Sequence, residues 1–353
     1  MALDCSRRGP DADRAMTNDL VTEDWPRPPT NQKMMTALLR RAGQPATRNL
    51  IVPFGRMIQF AELAILPMAS LWSAHIWLAH GVVRGSAMDP RWHECGRGTA
   101  FKTSWVNKVV FRIFGLRMIR DPFCRKFGHA LRHSDTINAG RDPEAAIMRP
   151  VVALKMAANP LCNVDEIEAG RRILAKGAGR IVPDEAEHME WDLCPKTIQT
   201  SRVSPAIRAA TIAAALIFRG WMPALLICLA RSHGIWHMVI CGWLQHGGRA
   251  DNFLDDRLNC RSVFVNPVGR RICWNMNCDE KHQMFPLVPY CKVPDLYETC
   301  RHSFPARNCT MASGFAEMLP VHWRQRTNFD CHLRRPVRET ANPNHDGLRA
   351  HAA

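Results

Sequence analysis

Two histidines four residues apart, His129 and His133, stand out as residues whose types and spacing could do chemistry. Positions i and i+4 of a helix lie on one face, so both imidazoles could reach one metal ion. Positions 93 and 97 have the same spacing, but Arg97 occupies the second of them. Its guanidinium group carries donors and no lone pair, so it cannot bind a metal. Isolated pairs of helical histidines also occur on surfaces and in cores, so the spacing alone leaves metal binding open.

Three longer strings contain these and other histidines. Residues 93–101 read HECGRGTAF, residues 128–136 read GHALRHSDT, and residues 275–290 read NMNCDEKHQMFPLVPY, with QH at 245–246. In the same order, the strings resemble the histidine boxes of the bacterial membrane fatty acid desaturases. The boxes of that family read roughly H-E-C-x-H-G-T-A-F, S-H-A-R-H-H-T-D-T and N-M-N-Y-H-x-E-H-H-M-F-P. The resemblance covers about residues 92–319.

This resemblance implies a mainly α-helical membrane protein with multi-pass or re-entrant segments. Its histidine-box helices would face the cytoplasm and hold two irons, for which neutral imidazole is a suitable ligand. The implied reaction is the O₂-dependent oxidation of a lipid acyl chain. Electrons would come from a separate ferredoxin- or cytochrome-type donor, and no nucleic-acid partner is implied.

The resemblance also implies a set of metal ligands. Five histidines stand at ligand positions of the family, and Asp279 stands at a sixth, where a carboxylate could bind iron. The implied ligands are His93, His129, His133, His246, His282 and Asp279.

Four positions of the boxes have lost their histidine. Arg97, Arg132, Asp279 and Gln283 replace the family residue. Arginine cannot bind a metal, and glutamine is at best a weak ligand. The sequence therefore leaves open whether iron is paired, single or absent. It predicts either a desaturase-like enzyme or a non-catalytic relative with a binding or structural role. One hypothesis is that Arg97 or Arg132 pairs with Asp279 in the emptied cavity.

Composition and the family resemblance together predict three regions. Residues 1–49 are predicted to be a flexible basic tail, residues 50–320 the desaturase-like membrane domain, and residues 321–353 a polar tail. Residues 63–83 contain no charged side chain and are about as long as a membrane-spanning helix, although a buried helix of a soluble protein fits as well.

Two shorter features refine this prediction. A second apolar region, residues 209–230, is interrupted by Arg219 and Gly220, which are predicted to form a turn because arginine is costly inside a bilayer. The amphipathic stretch from Trp105 to Ile119 predicts a helix lying on a membrane surface.

The charge and cysteine content agree with a cytoplasm-facing membrane protein. Lys and Arg total 47 against 32 Asp and Glu, an excess that suits nucleic-acid binding or the cytoplasmic side of a membrane. The chain lacks a nucleic-acid-binding signature, which favours the membrane. The 14 cysteines include no C-x-x-C pair, so reduced thiols are expected and zinc ribbons are excluded.

Overall fold

The computed structural model describes residues 30–41, 43–65, 71–124, 164–186, 189, 191–220, 224, 228, 235–250, 256–328, 331–333 and 335. Helices dominate these ranges, which confirms the prediction of a mainly α-helical fold. The α-helices are α1 (Gln32–Leu38), α2 (Gly43–Ile65), α3 (Leu71–Arg97), α4 (Ser104–Arg117), α5 (Val164–Gly177), α6 (Pro183–Ala186), α7 (Cys194–Ile217), α8 (Ile235–His246), α9 (Asp256–Asn259), α10 (Pro267–Ile272), α11 (Asp279–Met284), α12 (Val293–Cys300) and α13 (Met311–Arg324). Short 3₁₀ turns cover Trp191–Leu193, Tyr290–Lys292 and Arg301–Ser303.

Helix α3 is the central element of the described structure. It packs against α2, α4 and α8, while α5 and α7 form a neighbouring pair. Buried aromatic rings fix its C-terminal half, where Trp92 stacks on Phe111 of α4 with centroids 4.9 Å apart. Gly96 permits this approach, since a Cβ there would lie 2.7 Å from the Phe111 ring. The last turns of α3 are therefore held rigidly against α4.

A buried arginine joins α3 to distant parts of the chain. Arg91 donates hydrogen bonds to the backbone oxygens of Asn49, Arg271 and Ile272, at 2.9–3.2 Å. Its guanidinium lies 4.7 Å from the centre of the Trp274 ring. Five fixed donors allow one side chain to bind α2 and α10 to α3 at the same time.

The apolar stretch at residues 63–83 does not form one continuous described helix. Helix α2 ends at Ile65 and α3 begins at Leu71, and residues 66–70 lie outside the described residues. Across the ranges that the structure describes, no helix is both long and apolar enough to cross a bilayer. The multi-pass arrangement therefore stays a prediction.

The folded part begins earlier than the sequence indicates. Within the predicted flexible tail, residues 32–38 form α1 and residues 43–49 open α2. Leu38 is buried in an apolar cluster with Phe285, Leu296 and Phe304. Burial of a few apolar side chains by tertiary contacts thus outweighs the polar composition of this segment. At the other end, α13 extends to Arg324, beyond the predicted boundary at residue 320.

Two local predictions are confirmed as secondary structure. The stretch from Trp105 is helical as far as Arg117, within α4, and Trp105, Val109 and Ile113 lie exposed at i, i+4 and i+8 along one face; the placement of this helix on a membrane surface stays a prediction. Helix α7 ends at Ile217, and Arg219 follows in a turn with a positive φ of 50°.

Candidate metal centre

The end of α3 presents the first histidine box. Gly98 adopts φ +72° and donates its N–H to the Cys95 oxygen, while Thr99 donates to the Glu94 oxygen. This glycine-dependent pattern ends the helix immediately after Arg97. His93 and Arg97 consequently lie one turn apart on the final turn, as their spacing predicts.

The end of α8 presents His246. A buried arginine, Arg261, donates to the oxygens of Leu244 and Gly247 at 2.6 and 3.0 Å, so it satisfies carbonyl groups that the helix leaves without partners. Gly248, at φ +71°, turns the chain away from the helix. His246 is thereby held at a fixed helix end, 6 % exposed.

The third box forms the short helix α11, all of whose residues are buried. Asp279 and His282 lie three residues apart on it. Isolated β-bridges from Ser262 to Cys278 and from Val263 to Asn308 attach this segment to neighbouring chain. Asp279 contacts His246 at the end of α8, and His282 contacts His93 on α3.

His282 meets the first box. Its Nε2 lies 2.5 Å from His93 Nε2 and 2.9 Å from Arg97 Nη1. Arg97 Nη1 also donates to the Pro286 oxygen at 2.9 Å. Because guanidinium can only donate, the contact engages the lone pair of His282 Nε2. That is the electron pair a metal would need.

Glu94 lies beneath this histidine pair and is fully buried. It accepts a hydrogen bond from Thr99 Oγ1 at 2.7 Å and one from the Tyr290 N–H at 3.3 Å. Its other oxygen, Oε1, is 3.7 Å from His282 Nδ1. Burial raises the pKa of Glu94, and the nearby charge of Arg97 opposes that rise.

A second cluster surrounds His246. Its Nε2 lies 3.3 Å from Asp279 Oδ2, and its Nδ1 lies 3.7 Å from Cys260 Sγ. All three side chains are buried, and one donor atom from each can be chosen so that all lie within 4.8 Å of one another. The sequence reasoning missed Cys260, because a single cysteine in the string DDRLNCR carries no ligand spacing.

The position before His282 holds a third buried group. Lys281 Nζ donates to Glu280 Oε2 at 2.5 Å and to Ser262 Oγ at 3.0 Å. It also lies 4.4 Å from the Phe304 ring centre and 5.0 Å from that of Tyr297. This cation therefore has an anion, a hydroxyl group and two aromatic faces around it.

Four of the six predicted ligands are thus described, in two clusters. His93 and His282 join Glu94 in one, whereas His246 and Asp279 join Cys260 in the other. The predicted ligands His129 and His133, and with them Arg132, lie outside the described residues.

The substituted positions behave differently from one another. The described contacts place Arg97 on His282 and Pro286, and Asp279 on His246, and they include no pair between Arg97 and Asp279; the alternative pair of Arg132 with Asp279 involves a residue outside the described part of the chain. Gln283 is buried, with its Nε2 3.5 Å from Asp279 Oδ1. Asp279 and His282 lie three residues apart on α11, and the structure places Asp279 against His246 and His282 against His93.

Comparison with known families agrees with this architecture. The family model described as fatty acid desaturase matches residues 66–315, well over half of the chain. The chain therefore belongs to the fatty acid desaturase family. No curated protein matches it. Members of the family generally depend on a di-iron centre, act on lipid acyl chains with an electron donor, and are typically membrane-associated.

The described residues do not fit a pair of irons. Two of the clustered imidazoles face each other across 2.5 Å, and the guanidinium group of Arg97 lies on one of them. The remaining imidazole is placed between a thiol and a carboxylate. Within the described part of the boxes, the possible metal-binding atoms lie in two separate clusters. In the first cluster, the guanidinium group of Arg97 engages the lone pair of His282 Nε2.

Proposed function

We propose that this chain is a membrane-associated, non-catalytic member of the fatty acid desaturase family that binds lipid acyl chains or partners without oxidising them. The observation that supports the loss of oxidation is the 2.9 Å contact between Arg97 Nη1 and His282 Nε2. It combines two obstacles to iron, an engaged lone pair and a permanent positive charge.

The charge alone is a large obstacle. A divalent ion on His282 Nε2, at a bond length of about 2.1 Å, would lie within about 5 Å of Arg97 Nη1. With an effective dielectric constant of about 20, the repulsion is about 6 kcal/mol or more. Arginine cannot relieve it by losing its proton at ordinary pH.

The surroundings of Lys281 support a fold that persists without the iron pair. The buried ammonium group of Lys281 donates hydrogen bonds to Glu280 and Ser262. These contacts form only while the third box keeps its present conformation. Buried charges left without partners would destabilise the fold by several kcal/mol. The box therefore functions as a structural element in this proposal.

The exposed face of α4 supports membrane association. Trp105, Val109 and Ile113 form its apolar stripe, and the exposed cations Lys108 and Arg112 lie beside it. A helix of this kind lies in the interface, with the apolar side chains among the acyl chains and the cations near anionic headgroups. We propose that α4 rests on the cytoplasmic leaflet.

Lipid analysis of cells with and without the chain tests the proposal. The unmodified chain should leave the acyl profile unchanged, whereas a version with histidine at positions 97, 132, 279 and 283, supplied with a ferredoxin- or cytochrome-type donor, should yield new double bonds or hydroxyl groups. Adding His93→Ala to the restored version should abolish them. Membrane fractionation establishes that all versions accumulate equally.

Two results would overturn the proposal. One is a new unsaturated or hydroxylated acyl chain made by the unmodified protein, which would show an active oxidoreductase. The other is two irons per chain in the purified unmodified protein, measured by plasma mass spectrometry.

A further inference from the structure

We propose that His246, Cys260 and Asp279 form a binding site for one thiophilic divalent cation, of which Zn²⁺ is the representative. This site differs in chemistry from a histidine-box iron centre, because it contains a sulfur ligand. It is independent of whether the chain oxidises lipids. The proposal rests on the identity, distances and burial of these three side chains.

The donor set is the first argument. Imidazole nitrogen, thiolate sulfur and carboxylate oxygen are the three ligand types that zinc takes in proteins. Sulfur ligands favour borderline and soft cations over Mg²⁺ or Ca²⁺, which prefer oxygen. Cys260 has no exposed surface, and His246 and Asp279 are 6 % and 4 % exposed. The three groups thus face each other with little water between them.

The distances are the second argument. Tetrahedral zinc, with bonds of about 2.0 Å to nitrogen or oxygen and 2.3 Å to sulfur, places an N and an O ligand about 3.3 Å apart and an N and an S ligand about 3.5 Å apart. The observed separations are 3.3 Å from His246 Nε2 to Asp279 Oδ2 and 3.7 Å from His246 Nδ1 to Cys260 Sγ.

One ion can use only one nitrogen of His246, since the two observed contacts are on opposite sides of the ring. The third donor must then approach from at most 4.8 Å, a movement of about 1 Å. Rotation of the Cys260 side chain is sufficient for a shift of that size. Three protein ligands leave a fourth position for water.

The charge around the cysteine is the third argument. Asp256 and Glu280 lie close enough to Cys260 to act on its charge, in addition to Asp279. Carboxylates around a buried thiol disfavour an isolated thiolate but favour a thiolate bound to a cation. Glu280 is already paired with Lys281 and Arg249, so a divalent ion would act chiefly on the thiolate of Cys260 and the carboxylate of Asp279.

Cobalt substitution of the purified full-length protein tests the site. Co²⁺ bound by a thiolate gives a sulfur-to-metal charge-transfer band in the near ultraviolet, which nitrogen and oxygen ligands do not produce. We expect one Co²⁺ per chain with this band, and displacement of the band by one equivalent of Zn²⁺. Cys260→Ser should abolish the band and weaken zinc binding at least about 100-fold, more than the loss of an outer-sphere partner costs.

Two cysteines outside the cluster provide matched controls. Cys300 is buried in an apolar cluster and Cys309 is exposed, so Cys300→Ser and Cys309→Ser should keep the band. Asp279→Asn, which preserves the shape of the side chain, should keep the band but weaken binding, and it provides a second variant if Cys260→Ser does not fold.

Absence of the band in the unmodified protein, or its persistence in folded Cys260→Ser, would overturn the site. Unchanged zinc affinity in Asp279→Asn would do the same. The outcome is separate from that of the proposed function, because an Arg97→His variant changes the first cluster and should leave the cobalt band unaltered.

Discussion

Removing the charge of Glu280 is the sharpest test of the buried ion cluster in the third box. Glu280 is 1 % exposed and accepts from Lys281 Nζ at 2.5 Å and from the Ser262 N–H at 3.2 Å. Arg249 Nη2 lies 3.7 Å from Glu280 Oε1, the oxygen that accepts from the Ser262 N–H. Glu280→Gln keeps the volume but leaves two buried cations without this anion. We expect the free energy of unfolding to fall by about 3–5 kcal/mol, the usual cost of breaking a buried pair from one side.

Replacing the cation by an apolar chain should cost less. In Lys281→Met, the thioether remains between the rings of Tyr297 and Phe304, a contact that is favourable by about 0.3–1.5 kcal/mol. Glu280 keeps Ser262 and Arg249. We expect a loss of about 1–2 kcal/mol, because a hydrophobic replacement of a buried ion is often close to neutral.

The double variant then measures the coupling between the two charges. Glu280→Gln with Lys281→Met should be more stable than the sum of the single losses by about 1–3 kcal/mol. Urea unfolding of the purified protein in detergent, followed by tryptophan fluorescence, gives the three values. Glu298→Gln, on an exposed side chain of α12, is the control and should stay within about 0.5 kcal/mol. Additive losses, or a loss below about 1 kcal/mol for Glu280→Gln, would refute the reasoning.

Three further predictions follow from single sites. Gly247→Ala should lower the melting temperature, since its Cβ would lie 2.6 Å from a backbone oxygen. Gly170→Ala lies in open space on α5 and should raise the free energy of unfolding by about 0.5–1 kcal/mol, because alanine is favoured over glycine inside a helix. Thermal unfolding compares the two variants. Burial raises the pKa of Asp121 above its ordinary 3.8, so the folded state binds that proton more tightly than the unfolded state does. The free energy of unfolding should therefore fall as the pH rises from 3.8 through the raised pKa. Unfolding measured at several pH values should show a weaker fall in Asp121→Asn. Trp105→Ser should lower the affinity for anionic vesicles about tenfold or more, as measured by co-sedimentation, because a large apolar side chain in the interface contributes about 1.5–3 kcal/mol. The control Trp323→Ser, also at an exposed position, should have a smaller effect.

Local sequence signals predict the helices of this fold better than the contacts between them. The amphipathic pattern from residue 105 predicts α4, and Arg219 correctly marks a turn. Both depend on neighbouring residues only. The helix at residues 32–38 was missed, because its stability comes from Leu38 packing on residues more than 200 positions away.

The candidate site likewise contains residues that sequence motifs indicate and contacts that only the fold determines. The structure brings together His93 and His282, two of the histidines that the box motifs indicate, and places His246 in a second cluster. The sequence does not single out Cys260, whose local string has no ligand spacing, nor Glu94, which lies within the first box beside His93 but is not at one of its ligand positions. The contact of Asp279 with His246 depends on the packing of α8 against the third box, which local sequence does not encode, and the hypothesised partner Arg132 lies outside the described residues.

The cations of the first and third boxes have partners in the described structure. A bare exchange of histidine for arginine would leave a cation near a buried imidazole with nothing to satisfy its donors. Here Arg97 donates to the Pro286 oxygen as well as to His282. Lys281 has Glu280, Ser262 and two aromatic rings. Because unsatisfied buried charge is strongly destabilising, such compensation is what a folded protein without an iron pair requires. The described contacts therefore support a fold that is stable without an iron pair, as the proposed function requires.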